Sequence, residues 1–168
     1  MTADPVFASV RRLAEQVASR AISPVGLAET FLERLETLGP KYNAVVTVTR
    51  DRALDEARRA EREIAAGHSR GPLHGIPYGA KDLLATGGGI PTSWGAAPLR
   101  GQTFDEDATV IRKLGEAGAV LCAKLAMVEL AGGAGYRQPN ASFTGPGINP
   151  WDPTTWSGGS SSGSGGAR

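Results

Sequence analysis

Two short apolar segments, residues 73–83 and 120–124, flank an amphipathic stretch at 107–117. Runs of that kind read as buried strands with a helix between them. Strand-helix-strand alternation argues for an α/β fold with mixed or parallel pairing. The N-terminal part is different. Val6, Val10, Leu13, Ala14 and Val17 recur at helical spacing and predict a helix over 6–19. Ser23-Pro24 starts a second amphipathic helix to about Leu38, with proline at its first position, and Gly39-Pro40 ends it. Residues 44–49 are β-branched and predict a strand, and residues 51–66 predict a charged helix stopped by Gly67. In that helix Asp55 and Arg59 lie one turn apart, and the charges are expected to form a solvated face. The organisation is a mainly helical lead-in, 1–66, and the start of a sheet core with its loops, 67–168, within one domain and without internal repeats.

Composition narrows the partners. With 168 residues, 40% hydrophobic, 21% charged and a net charge of +1, the chain makes no electrostatic case for nucleic acid or an anionic membrane. No apolar run approaches the ~18 residues needed to span a bilayer. The start, Met1 to Pro5, carries an acid and a proline and no signal-peptide core, so the expected location is cytoplasmic. The single cysteine, Cys122, excludes an internal disulfide and reads as a buried strand residue.

Two segments carry the chemistry. The Ser/Gly run Ser157-Gly158-Gly159-Ser160-Ser161-Ser162-Gly163-Ser164-Gly165-Gly166 would on composition alone be a flexible linker. It is preceded, however, by Asn149-Pro150-Trp151-Asp152-Pro153-Thr154-Thr155-Trp156, whose tryptophans and prolines form turns and pack. Gly/Pro-rich loops at 85–101 and 131–166 are too long to be mere connections and are read as functional. Lys81 sits where a strand ends and a loop begins, among small and apolar residues. A lone lysine is ordinarily a solvated charge. As a base it would have to be neutral, in a buried site that lowers its pKa by roughly 3 from the ordinary value.

Gly75-Ile76-Pro77-Tyr78-Gly79-Ala80-Lys81-Asp82, then Asn149-Pro150-Trp151-Asp152, then Gly158-Gly159-Ser160-Ser161, in that order, resemble the amidase signature family. The resemblance runs from about Ser23 to the end and takes in Asn43-Ala44-Val45, Gly118-Ala119-Val120 and Lys124-Leu125-Ala126-Met127-Val128-Glu129-Leu130. It implies the amidase-signature fold, a mixed β-sheet covered by helices. It also implies a triad of a lysine, a serine on a cis peptide bond and a nucleophilic serine, and places Lys81 on the first and Ser160 on the second. The Gly159–Ser160 bond would be cis. Gly158, Gly159, Ser161 and Met127 are assigned to the substrate side, although Ser161, Ser162 and Ser164 could equally serve a tight turn, and Met127 with Glu129 could be packing and a cap. No metal and no organic cofactor is implied. The partner would be a small-molecule amide, without nucleic acid or membrane, and a homo-oligomer is left open.

In the implied reaction, neutral Lys81 takes a proton from Ser160, Ser160 takes one from the nucleophile, and an acyl-enzyme forms. Family members carry the nucleophile and oxyanion hole in a later segment of the form Asp-(Thr/Ser)-Gly-Gly-Ser, and the chain ends at Arg168 before any such segment. The expectation is an N-terminal part of a longer product that has no amidase activity alone, is poorly soluble or only partly folded, and leaves strand edges and apolar faces uncovered. Leu125-Ala126 stands where many members have Thr-Asn, which points away from the tRNA-dependent amidotransferase subunit, the alternative within the family; a non-catalytic remnant is the alternative outside it. Ser162, Gly165 and Gly166 are smaller departures. Gly159-Ser160-Ser161-Ser162-Gly163 also fits the Gly-x-Ser-x-Gly elbow of α/β-hydrolases, but that needs a preceding strand and a following histidine, and both His68 and His74 precede it.

Overall fold

The structure is a computed structural model that describes residues 4–132, 138 and 140–167; the readings of Met1 to Pro5 and of the 131–166 loop therefore fall partly outside the described residues. The helix expected over 6–19 is broken. Pro5–Phe7 forms a 3-10 turn capped by Asp4, and Ser9 then starts α1 (Val10–Ala18) by accepting the Arg12 N–H at 3.3 Å. α2 (Pro24–Thr37) begins in the same way, with the Ser23 hydroxyl accepting the Gly26 N–H at 3.1 Å and Pro24 in the first turn.

Then follow β1 (Val45–Val48), α3 (Arg50–Ala65), β2 (Pro77–Lys81), α4 (Thr109–Glu116), β3 (Val120–Leu125) and α5 (Ser162–Gly166). The strand expected over 73–83 is shorter because residues 73–76 turn, with the Ile76 N–H donating to Leu73 O at 3.1 Å. The three strands form a mixed sheet in the order β1-β3-β2, with β1 antiparallel and β2 parallel to the central β3.

Helices cover the sheet through small residues. Ala53 and Ala57, one turn apart on α3, are fully buried with Ala28 and Leu32 of α2 against Val120 and Cys122 of β3. Alanine at those positions lets two helices and a strand come together without a gap. Burial pushes the Cys122 thiol up to about 12. On α4, Ile111 packs on Ala80 and Leu121. No helix among the described residues is long and apolar enough to cross a membrane.

α3 is more than a solvated face. Arg52 donates to Glu56 at 2.8 Å and, with both terminal nitrogens, to Asp107 at 2.9 and 2.8 Å. That guanidinium holds Asp107 below the usual carboxylate range. The other Glu56 oxygen accepts the Leu121 N–H of β3 at 2.8 Å. Asp55 pairs with Arg58 at 3.2 Å, while Arg59 faces Glu63 at 3.9 Å.

His74 anchors the approach to β2. It is buried; its Nδ1 accepts the Arg70 N–H at 3.1 Å, which assigns the proton to Nε2, and Nε2 lies 3.1 Å from a Glu63 oxygen. Burial lowers its pKa below the ordinary 6.5, against the pull of Glu63. The fold thus favours the neutral ring, and the unfolded chain takes up a proton first as pH falls. Stability contributed by the neutral ring is present above about 6.5 and declines from there down to the lower folded value. Urea unfolding across that window should show this decline, and His74→Gln should remove it; an unchanged pH slope in the variant would contradict the assignment.

Candidate active site

β2 delivers Lys81 and then stops. Lys81 is in register with Leu125 at the end of β3, the Asp82 N–H donates to Leu125 O at 2.9 Å, and the Leu84 N–H turns back to Lys81 O at 3.1 Å. The lysine side chain leaves this corner toward the Ser/Gly run. Its Nζ lies 2.8 Å from Ser160 Oγ, a contact between residues 79 apart in sequence. Lys81 is half-buried, less than a neutral base was expected to require, and burial still pushes its amine below the ordinary lysine range.

The Ser/Gly run is a folded strap held to the end of β3. Gly158 has φ +87°, the Gly159–Ser160 peptide bond is cis, and Ser160 O accepts the Val128 N–H at 2.9 Å. Glycine at 159 is set by close approach, since a Cβ there would lie 2.8 Å from both the Trp156 ring and a Val128 methyl. Tight packing also sets Gly163, whose N–H donates to Ala126 O at 2.8 Å and whose Cβ would run into Ala126 N and Ala44 O.

The remaining sequence-predicted residues fall around this contact. Gly158 and Gly159 are half-buried beside Ser160, and Ser161 is exposed. Met127 is fully buried, with its carbonyl and Cγ against Gly95, where it packs rather than presents surface. Ser162 is buried in the first turn of α5, accepts the Ser157 hydroxyl on its carbonyl at 3.0 Å, and its own hydroxyl has no hydrogen-bond partner among the described residues. The strap is preceded by a loop with an Ile148–Trp156 bridge and not by a strand, so the hydrolase elbow does not form.

Sequence reasoning missed the polar cluster behind Lys81. Asp82 and Lys124 are both fully buried, as are Thr92 and Ser93 from the far side of the Gly-rich loop. A lysine inside the apolar run Val120-Leu121-Cys122-Ala123-Lys124-Leu125-Ala126 was the signal that could have shown it. Among the described residues no group of three or more His, Cys, Asp or Glu side chains could hold a metal ion.

What this arrangement can do is move a proton between an amine of lowered basicity and a hydroxyl in direct contact. The amidase family model matches residues 26–167. The chain belongs to the amidase family. It is 41% identical over 153 residues to the Mycobacterium tuberculosis protein named amidase AmiD, covering 91% of this chain and 31% of that protein. It is 44% identical over 159 residues to a glutamyl-tRNA(Gln) amidotransferase subunit of Aromatoleum aromaticum, covering 95% of this chain and 31% of that relative. The native peptide amidase of Stenotrophomonas maltophilia has the same fold, with a TM-score of 0.83 at 33% identity over 94% of this chain and 33% of that one. The amidase chain thus spans about a third of the length of the curated relatives it matches.

A methyl group at position 163 tests how the strap is seated. Gly163→Ala drives a Cβ into two backbone atoms that cannot rotate away, and overpacking of that kind costs roughly 1–3 kcal/mol. Denaturant titration should register a loss of that order; a variant as stable as the parent would contradict the seating of α5 on Ala126 and Ala44.

Proposed function

We propose that these residues carry two members of a Ser-cisSer-Lys triad in an enzyme that hydrolyses a small-molecule carboxamide. The observation that carries the reading is the 2.8 Å contact between Lys81 Nζ and Ser160 Oγ. With Lys81 neutral, the Ser160 hydroxyl donates its proton to Nζ and its oxygen accepts the proton of the nucleophilic serine. That serine attacks the amide carbon, the C–N bond breaks, and the proton returns through Ser160 to the leaving nitrogen. Water then repeats the sequence on the acyl-enzyme.

The nucleophile and its oxyanion hole are assigned to a segment outside these 168 residues, which contain no Asp-(Thr/Ser)-Gly-Gly-Ser sequence. Residues 1–168 alone are therefore proposed to be inactive, since an oxyanion-hole donor by itself is worth about 3 kcal/mol and the nucleophile makes the covalent bond. Ser161, Gly158 and Gly159 would border the substrate, and Met127 would support that border from behind.

The 44% identity to an amidotransferase component favours a second reading, release of ammonia from glutamine for a tRNA-linked acceptor. Leu125-Ala126, where many members have Thr-Asn, weighs against it. Co-purification of partner proteins with the intact gene product would support that second reading, and turnover of a simple carboxamide by the gene product on its own would support the first.

Removing the base decides whether the triad operates. In the intact gene product, Lys81→Ala should lower kcat for carboxamide hydrolysis by about 10²–10⁴-fold, the range of general-base catalysis. Because the neutral amine is the active form, the parent rate should rise with pH through the lowered Lys81 pKa and then level off. Undiminished hydrolysis in Lys81→Ala would contradict the proton relay, and ammonia release by residues 1–168 alone would contradict the missing nucleophile.

A further inference from the structure

Lys124 is the largest fully buried side chain among the described residues. A buried ammonium needs partners of matching geometry or it gives up its proton. Lys124 has such partners: Nζ donates to Leu84 O at 2.8 Å and to Thr92 Oγ1 at 2.6 Å, and lies 3.4 Å from Asp82 Oδ1. All three sit on the loop that leaves β2 immediately after Lys81. The Asp82 carboxylate closes the same loop at its far end, with Oδ2 accepting the Ser93 N–H at 2.9 Å and the Ser93 hydroxyl. The Trp94 N–H donates to Asp82 O at 3.2 Å. Thus the two ends of the 82–94 loop meet at Asp82, and the Lys124 ammonium occupies its middle.

Stability alone gives no reason for a cation there, because well-packed apolar side chains of similar volume often serve as well as a buried ion pair or better. Geometry gives one. Two hydrogen bonds and an ion pair fix where the loop begins, and it begins at Asp82, next to the residue whose amine must meet Ser160. Lys124 itself is paired in register with Ala80, the residue before Lys81. We propose that Lys124 is a positioning residue, which through Asp82, Leu84 and Thr92 holds the corner after β2 so that Lys81 Nζ stays on Ser160 Oγ. The proposal rests on the triad reading for its consequence in catalysis, but not for its consequence on Lys81.

The test uses the intact gene product and two variants. Asp82→Asn with Lys124→Met removes both charges together and leaves neither unpaired. Thr92→Val removes one acceptor and keeps the pair. Lys81 reactivity toward acetic anhydride as a function of pH, read by peptide mass, reports the amine directly. In the double variant the Lys81 titration should move up toward the ordinary lysine range, since an amine released from its corner regains solvent. Carboxamide kcat should fall about 100-fold, the cost of roughly 1 Å of misplacement, with KM within about twofold. Thr92→Val should shift both readouts in the same direction by less.

If the variants lose thermal stability while Lys81 titration and kcat per folded molecule stay as in the parent, Lys124 is core packing and the proposal is wrong. Should the double variant not fold, Thr92→Val decides, and unmoved readouts there overturn the proposal. Turnover that survives Lys81→Ala removes the catalytic reading instead, while the Lys81 titration still reports whether Lys124 places that side chain.

Discussion

A strand buried along its whole length has no water to satisfy its backbone, so every N–H and C=O must find a partner in the fold. β3 is such a strand, with all six residues from Val120 to Leu125 buried. β1 and β2 supply most of the partners from either side. Beyond the end of β1, whose pairing with β3 stops at Val48 and Ala123, side chains that follow β1 take over: Glu56 accepts the Leu121 N–H, and the Thr49 hydroxyl donates to Leu121 O at 2.7 Å. Both halves of the candidate site are then referenced to the end of this strand. Lys81 is placed by pairing with Leu125, and Ser160 by the Val128 and Ala126 backbone just beyond it. Their meeting at 2.8 Å is a consequence of one rigid element serving two loops.

Charge is used differently at each depth. At the surface, pairs such as Arg112–Glu116 at 2.6 Å are exposed and contribute little. Half-buried Arg52 ties α3 to Asp107, ahead of α4, while its neighbour Glu56 reaches β3, so one turn of α3 organises three elements. Deepest lies Lys124, whose amine burial pushes below the ordinary range while Asp82 pulls it back. Lys81 sits one strand away in a half-buried position where burial acts without an opposing carboxylate. The two lysines differ chemically because one faces Asp82 and the other faces a serine hydroxyl.

Part of this is legible in the sequence. Ser23-Pro24 announced α2, the apolar run 120–124 announced β3, and the strand-to-loop change at Lys81 marked the end of β2, where the amine lies 2.8 Å from Ser160 Oγ. The motif order around Ser160 carried the cis bond and the pairing with Lys81 through resemblance. What was not readable depends on contacts between distant residues. Ser9 restarts a helix that periodicity alone runs through, a local capping competition that apolar spacing does not register. Arg52 and Asp107 are 55 residues apart, and Lys124 and Leu84 are 40 apart, so neither partner marks the other in sequence. Asp82 follows Lys81 in the chain but faces Lys124, 42 residues on in the sequence, at 3.4 Å, and apolar spacing around Lys124 does not point to it.

The central claim is that Ser160 passes a proton and does not itself attack. Treating the intact gene product with a fluorophosphonate, which phosphonylates activated serine, and locating the modified residue by peptide mass tests that claim directly. The expected result is a label on a serine outside residues 1–168, with Ser160, Ser161 and Ser162 unmodified and labelling abolished by Lys81→Ala. A label on Ser160, or on either serine beside it, would make the strap the source of the nucleophile and contradict the relay.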